Sequence, residues 1–309
     1  MRIVFMGSGA FGLPTLESLA AAHEIALVVS QPPRPAGRRR VPTPTPVAAW
    51  AIERGIDLFT PERLDAEAVA RIAAADADVQ VVIAYGHRIP PELVAAAFSV
   101  NLHASLLPRW RGAAPINHAM IAGDERTGVS VIELAPRMDA GRVYATRSVA
   151  IDPRETAGEL HDRLAALGPE LVAEVLEAHA AGEADAMACV QDESIATAAP
   201  KLSKADGRLD LSEPAIVLRR RVHGLTPWPG CAISIAGTTV KLLRVADEPA
   251  SGEPGEPQEP GMLLADGRIT TGDGTLRPLE VQPAGGRPMG WEEFRRGRRL
   301  AGGERVEPV

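Results

Sequence analysis

The chain has 309 residues, 45% of them hydrophobic and 24% charged, with a net charge of −7. This length suits one large domain or two ordinary ones, and no run of about 18 apolar residues offers a membrane span. The acidic balance argues against an indiscriminate nucleic-acid binder, and Cys189 and Cys231, the only cysteines, give neither a disulfide framework nor a cysteine-based zinc site. Met1-Arg2 leads straight into a strand-like run without a small-residue cleavage pattern, so a soluble, cytoplasmic protein with no membrane partner is expected; separately, a monomer without a metal is expected.

From the N-terminus, apolar runs at 2–6, 25–30, 79–84, 99–102 and 129–134 read as buried parallel strands. Helical patterns lie between them at 13–22, 45–54, 65–75, 90–97 and 114–122. That βαβ rhythm predicts an α/β fold with a Rossmann-like open parallel sheet covered by helices on both faces. A long amphipathic stretch at 156–181 closes the domain, with Thr156 and Glu159 in capping-box register. Residues 183–207 are small and polar and read as a linker. A helix at about 212–223 precedes strands at 232–235, 238–245, 262–265, 268–271 and 276–281, separated by Gly-bearing turns such as Ala236-Gly237. Such a set suggests a small OB-like β-barrel, a common platform for nucleic acid, with the Pro- and Gly-rich stretch 249–260 at its rim. The expected division is 1–182, a linker over 183–207, and 208–309.

Residues 7–12, GSGAFG, match G-x-G-x-x-G between the first strand and helix. An NAD site also needs an acidic residue at the end of the second strand, which here ends Ser30-Gln31-Pro32. Arg34 and Arg38 could serve NADP, but Pro32, Pro33 and Pro35 stiffen their segment into an extended loop that reaches outward. The glycines are read as permitting a tight turn. Of the 33 basic residues only Lys201, Lys204 and Lys241 are lysine; with the many alanines, this fits the coding bias of a GC-rich bacterial genome. Arginines cluster at 38–40, 109 and 111, 219–221 and 295–299. Solvated surface accounts for any one cluster, whereas several on an acidic protein suit a polyanion held in a defined pose.

Chemistry concentrates at 101–115, NLHASLLPRWRGAAP. Asn101 and His103 end a strand of an open α/β sheet, where such folds bind ligands, and two-residue spacing puts both side chains on one face. An amide and an imidazole converging on one point make an oxyanion clamp for acyl transfer; the bland alternative is that they satisfy backbone groups at a strand end. Asp139, in the loop APRMDAG after the strand 129–134, could bring a carboxylate to His103 and favour a protonated, donating ring, or could simply cap its own turn.

Seven segments together identify a resemblance. They are QPPRPAGR at 31–38, AYG at 84–86, NLHASLLPRWRGAAPI at 101–116, MDAG at 138–141, KLSK at 201–204, TPWPG at 226–230 and LEVQPAGGRPM at 279–289. Over nearly its full length the chain resembles the methionyl-tRNA formyltransferases, within the enzymes that move the formyl group of 10-formyltetrahydrofolate. The resemblance implies a Rossmann-like catalytic domain joined to an OB-like tRNA-binding barrel, and transfer of that formyl group to the α-amine of initiator methionyl-tRNA. It implies that Asn101, His103 and Asp139 are the catalytic trio and that the backbone of Ser105, Leu106, Leu107 and Pro108 lies along the folate. It further implies that Arg38, in an inserted loop, and Lys204, in the linker, contact the tRNA. Pro33 stands where an acidic residue is usual and Arg142 where an Asp is common. The nearer rival is a folate-dependent formyltransferase acting on a nucleotide-linked amino sugar; the more distant is an RNA-binding barrel with a silent α/β domain.

Overall fold

The computed structural model describes residues 1–37, 40–249 and 259–309, so Arg38, Arg39 and most of the expected rim loop lie outside the described residues. The chain divides into two compact units. One comprises Met1–Pro115, Thr127–Val149 and His161–Pro200, the other Ile116–Arg126, Ala150–Leu160 and Lys201–Val309.

In chain order the strands of the first unit are β1 (Arg2–Gly7), β2 (Glu24–Val29), β3 (Arg34–Ala36), β4 (Val41–Thr43), β5 (Leu58–Phe59), β6 (Val79–Ile83), β7 (Phe98–His103), β8 (Arg111–Gly112), β9 (Arg126–Glu133), β10 (Val143–Ala150) and β11 (Ala198–Ala199). Seven of them form one sheet in the order β10-β9-β7-β6-β1-β2-β5. From β7 to β5 every neighbour is parallel. These strands read as continuous apolar runs because both faces are covered: Ile3, Val4, Phe5 and Met6 are all within 1% of full burial. Full burial of each such side chain contributes roughly 1.5–3 kcal/mol. One face packs Val4, Met6, Leu27, Val29 and Val82 with Ile72 and Leu93 of the flanking helices Ala66–Ala73 and Pro91–Ala96.

The sheet is mixed rather than purely parallel. The run expected as a parallel strand at 129–134 belongs to β9 and lies antiparallel to β7, with Val100 opposite Glu133 and His103 opposite Ser130. A parallel pair would need a crossover packed on this sheet, and the intervening helix, Pro115–Ala122, belongs from Ile116 onward to the other unit. The stretch 156–181 is two helices, Ala157–Ala165 and Gly168–Ala180. Gly168 marks a close approach, since a Cβ there would lie 2.6 Å from Leu102 Cδ2. Thr156 and Glu159 do form the capping box: Glu159 accepts from the Thr156 amide at 2.7 Å, and its own amide donates back to the Thr156 hydroxyl at 3.4 Å.

Gly7, the first of the opening glycines, is a packing residue. A Cβ on Gly7 would stand 2.8 Å from the Ile83 carbonyl and 2.7 Å from the Phe5 ring. The amides of Ser8 and Gly9, which a pyrophosphate would need, both donate to the Ala84 carbonyl, at 3.2 and 3.3 Å. The proline-rich segment beyond β2, expected as an extended loop, forms an antiparallel hairpin of β3 and β4 with Arg34 opposite Thr43.

The second unit carries β12 (Cys231–Ile235), β13 (Thr238–Glu248), β14 (Ile269–Thr270), β15 (Thr275–Pro283), β16 (Met289–Gly290) and β17 (Val306–Pro308). They pair antiparallel in the order β14-β15-β13-β12-β17, with β16 on β15, giving a nearly closed barrel-like sheet. Register shifts around Arg244 bend β13 as it pairs with β15, which helps curl the sheet. Inward residues Ile233, Val240, Leu242, Ile269, Leu276 and Val281 are fully buried. Residues 262–265, expected as a strand, make only isolated bridges, Met262 to Arg305 and Leu263 to Ile269. The helix Trp291–Arg298 packs through Trp291, whose indole donates to the Gly267 carbonyl at 2.7 Å.

Candidate active site

β7 ends at Asn101-Leu102-His103, and strand alternation puts Asn101 and His103 on one face while Leu102 is buried on the other. Asn101 is half-buried, and its amide has no hydrogen-bond partner among the described residues. His103 is buried, with Nε2 2.8 Å from the Trp110 carbonyl oxygen. A carbonyl only accepts, so Nε2 carries a proton and donates it. Its other nitrogen, Nδ1, faces Asp139 Oδ2 at 3.7 Å, a charge contact longer than a hydrogen bond. That same Oδ2 accepts the Gly112 amide at 2.8 Å. The structure therefore brings His103 and Asp139 together and places Asn101 beside His103 on the same strand face.

The segment after β7 is pinned from the neighbouring strand. Ser130 on β9, buried, donates its hydroxyl to the Ser105 carbonyl at 2.7 Å and accepts the Leu107 amide at 3.2 Å. Ser105, also buried, donates to the Arg109 carbonyl at 2.7 Å. The backbone of Ser105, Leu106, Leu107 and Pro108 is thus fixed at one edge of the trio, with a cis bond between Leu107 and Pro108.

A second layer comes from a stretch that reads as linker in the sequence. Through Thr197 to Ala199 the chain, still within the first unit, lies along the segment after β7: the Trp110 amide donates to the Thr197 hydroxyl at 2.9 Å, and β11 pairs in parallel with β8. Arg111 reads as part of a surface cluster but is 8% exposed, and its guanidinium grips Gln191 and Glu193. Hydrogen bonding from Arg111, then from Arg137, holds the Glu193 carboxyl below its ordinary range. Gln191, Glu193 and Thr197 are the site neighbours that sequence reasoning missed; a short polar run is their only local signal.

The match to known proteins follows this geometry. The family model described as formyl transferase covers residues 1–176, and that described as formyl transferase, C-terminal domain covers 201–299. The chain belongs to the formyl transferase family. It is 43% identical over 307 residues to a protein named methionyl-tRNA formyltransferase from Paramagnetospirillum magneticum, spanning 98% of this chain and 99% of that one. It is 45% identical over 314 residues to one of the same name from Parvibaculum lavamentivorans, spanning 99% and 100%. Among solved structures, an N-formyltransferase from Helicobacter canadensis, in complex with folinic acid and dTDP-3-aminofucose, superposes with a TM-score of 0.66 at 12% identity. That superposition covers 89% of this chain and 97% of the other. HypX from Aquifex aeolicus with tetrahydrofolic acid gives 0.61 at 19% identity over 96% of this chain and 47% of its own. Both show a shared fold.

In this formyl transferase Arg142, which departs from the usual pattern, is tied into ion pairs with Glu133 at 2.9 Å and Asp185 at 2.9 Å. The arginine's hydrogen bond holds the Glu133 carboxyl below its ordinary range. The departure is absorbed beside the Asp139 loop. Lys204 opens a short helix, Lys204–Gly207, and is exposed without a partner among the described residues. Among the described residues no group of three or more His, Cys, Asp or Glu side chains could hold a metal, and no helix is long and apolar enough to cross a membrane.

Proposed function

We propose that this chain transfers the formyl group of 10-formyltetrahydrofolate to the α-amino group of methionyl-initiator tRNA, giving N-formylmethionyl-tRNA for translation initiation. The observation that carries this reading is full-length identity of 43–45% to proteins of that name, across both units rather than the catalytic half alone. The folate supplies an activated formyl group. The methionyl amine attacks the formyl carbon, negative charge gathers on the formyl oxygen, the bond to the folate nitrogen breaks, and the amine proton ends on that nitrogen.

Asn101 fits this reaction because its amide is free to donate to the oxyanion, a contribution of roughly 3–4 kcal/mol for a placed donor. Asp139 Oδ2 faces His103 Nδ1 at 3.7 Å, and the pair can carry the proton from the attacking amine toward the leaving nitrogen. The backbone of Ser105, Leu106, Leu107 and Pro108, pinned by Ser130, offers a fixed edge for the folate. Arg38 and exposed Lys204 are assigned to the tRNA, and the enzyme to a cytoplasmic monomer. Formyl transfer from 10-formyltetrahydrofolate is to be measured on charged initiator tRNA, charged elongator tRNA and a dTDP-linked amino sugar. Preference for the initiator is expected; transfer to the sugar alone would replace this reading with the sugar-modifying one.

A further inference from the structure

Asp139 sits at φ +53, in the left-handed region where a non-glycine residue stays only if its surroundings hold it. Its side chain is held by the Gly112 amide, and its backbone is held by Gln191. Gln191 Nε2 donates to the Asp139 carbonyl at 2.8 Å and to the Gly141 carbonyl at 2.7 Å, one on each side of the turn. Its Oε1 accepts from Arg111 Nε at 3.0 Å and from Nη2 at 2.7 Å. Both donors and both acceptor positions of the amide are used. Because carbonyls only accept and a guanidinium only donates, the amide cannot rotate by half a turn without losing all four bonds.

Arg111 is fixed from its far side by Glu193, through Nη2 to Oε1 at 2.8 Å and Nη1 to Oε2 at 3.0 Å. It is also the residue before Gly112, so one two-residue strand supplies both restraints on Asp139. Gln191 and Arg111 are each 8% exposed, which keeps water from competing for these bonds.

We propose that Gln191, oriented by Arg111, is a positioning residue that sets the distance between Asp139 and His103 during formyl transfer. This rests on the reading of Asp139 as catalytic. A displacement of about 1 Å can cost on the order of 100-fold in rate. Gln191→Met keeps the side chain's length and removes the amide. It should lower kcat by roughly 10- to 100-fold with KM for both substrates nearly unchanged. In an Asp139→Asn background, read under single-turnover conditions, Gln191→Met should cost nothing further, since residues acting as a unit are non-additive.

Unchanged kcat in Gln191→Met, or the same loss in both backgrounds, overturns the proposal. Full activity in Asp139→Asn would instead remove the catalytic reading beneath it, a result distinct from an inactive Asp139→Asn beside a normal Gln191→Met. If Gln191→Met does not fold, Glu193→Ala carries the test from the exposed end of the chain of contacts. It should give a smaller kcat loss that also vanishes in the Asp139→Asn background; unchanged kcat there overturns the proposal equally.

Discussion

Gly112 holds Asp139 through one hydrogen bond, amide to carboxylate at 2.8 Å, from a backbone at φ +125 that glycine alone adopts readily. The same glycine lies against β11, where a Cβ would stand 2.5 Å from the Ala199 carbonyl oxygen. Gly112→Ala must therefore shift either its own dihedrals or the pairing of β8 with β11. Strain of this kind costs about 1–3 kcal/mol. A melting temperature lowered by several degrees is expected together with a kcat loss exceeding any rise in KM. A variant with wild-type kcat would show that this contact does not govern the carboxylate.

Ser130→Ala probes the proposed folate edge. The change leaves the Ser105 carbonyl and Leu107 amide without their shared hydroxyl in a fully buried position. Unmaking such bonds costs about 1–3 kcal/mol. The expected signature is a raised KM for 10-formyltetrahydrofolate with KM for methionyl-tRNA unchanged. A rise confined to the tRNA would assign the 105–108 segment to the other substrate.

His223, 2% exposed in the second unit, accepts the Val245 amide at Nε2 and donates from Nδ1 to the Pro153 carbonyl, both at 3.1 Å. Accepting at Nε2 requires the neutral ring. Burial, with Arg219 and Arg244 nearby, pushes its pKa from the ordinary 6.5 down to about 4. The unfolded chain gains this proton as pH falls through 6.5 and the folded chain does not, so the stability present above 6.5 is lost toward pH 4. The loss amounts to about 2 kcal/mol between pH 7.5 and 5. Denaturation of the full chain across this range should show a slope for wild type that is shallower by that amount in His223→Gln. Parallel curves would mean the ring does not titrate with folding.

The contrast between β6 and β10 shows what the sequence could disclose. All five residues of β6 are buried, so it stands out as an apolar run, whereas β10 buries only Tyr144 and from Ala145 onward alternates half-buried with exposed positions, so no apolar run marks it. Asn101 and His103 were legible as candidates because they are polar side chains at the end of β7, where such sheets bind ligands, and Asp139 because its loop follows β9. Gln191 was not. Its partner Arg111 lies 80 positions away, and a glutamine in a small polar run carries no period or spacing of its own. Charge clusters misled for a related reason: Arg111 and Arg295 are buried and Arg219 is paired with Asp247, so runs of arginine mix structural and free groups that only the fold sorts.

In the opening GSGAFG the first two glycines, Gly7 and Gly9, separate packing from cofactor binding. In a dinucleotide site the second glycine lets the pyrophosphate approach the backbone. Here that position, Gly9, has φ −74 and ψ 159, a backbone any residue adopts, and the nearest atom to a Cβ would be Ala84 Cβ at 3.3 Å, with the Ala84 carbonyl oxygen and the Phe11 nitrogen at 4.0 Å. Gly7 is the confined one, with the Ile83 carbonyl 2.8 Å from where its Cβ would be. Gly9→Ala should leave stability and the KM for 10-formyltetrahydrofolate within experimental error of wild type. Gly7→Ala should lose about 1–3 kcal/mol, the usual cost of forcing an extra methyl into a packed interior. Calorimetry should show no saturable binding of NADPH to the wild-type protein. NADPH binding that Gly9→Ala abolishes, with stability intact, would mean that the Ser8 and Gly9 amides leave Ala84 for a phosphate and that the turn is a cofactor site after all.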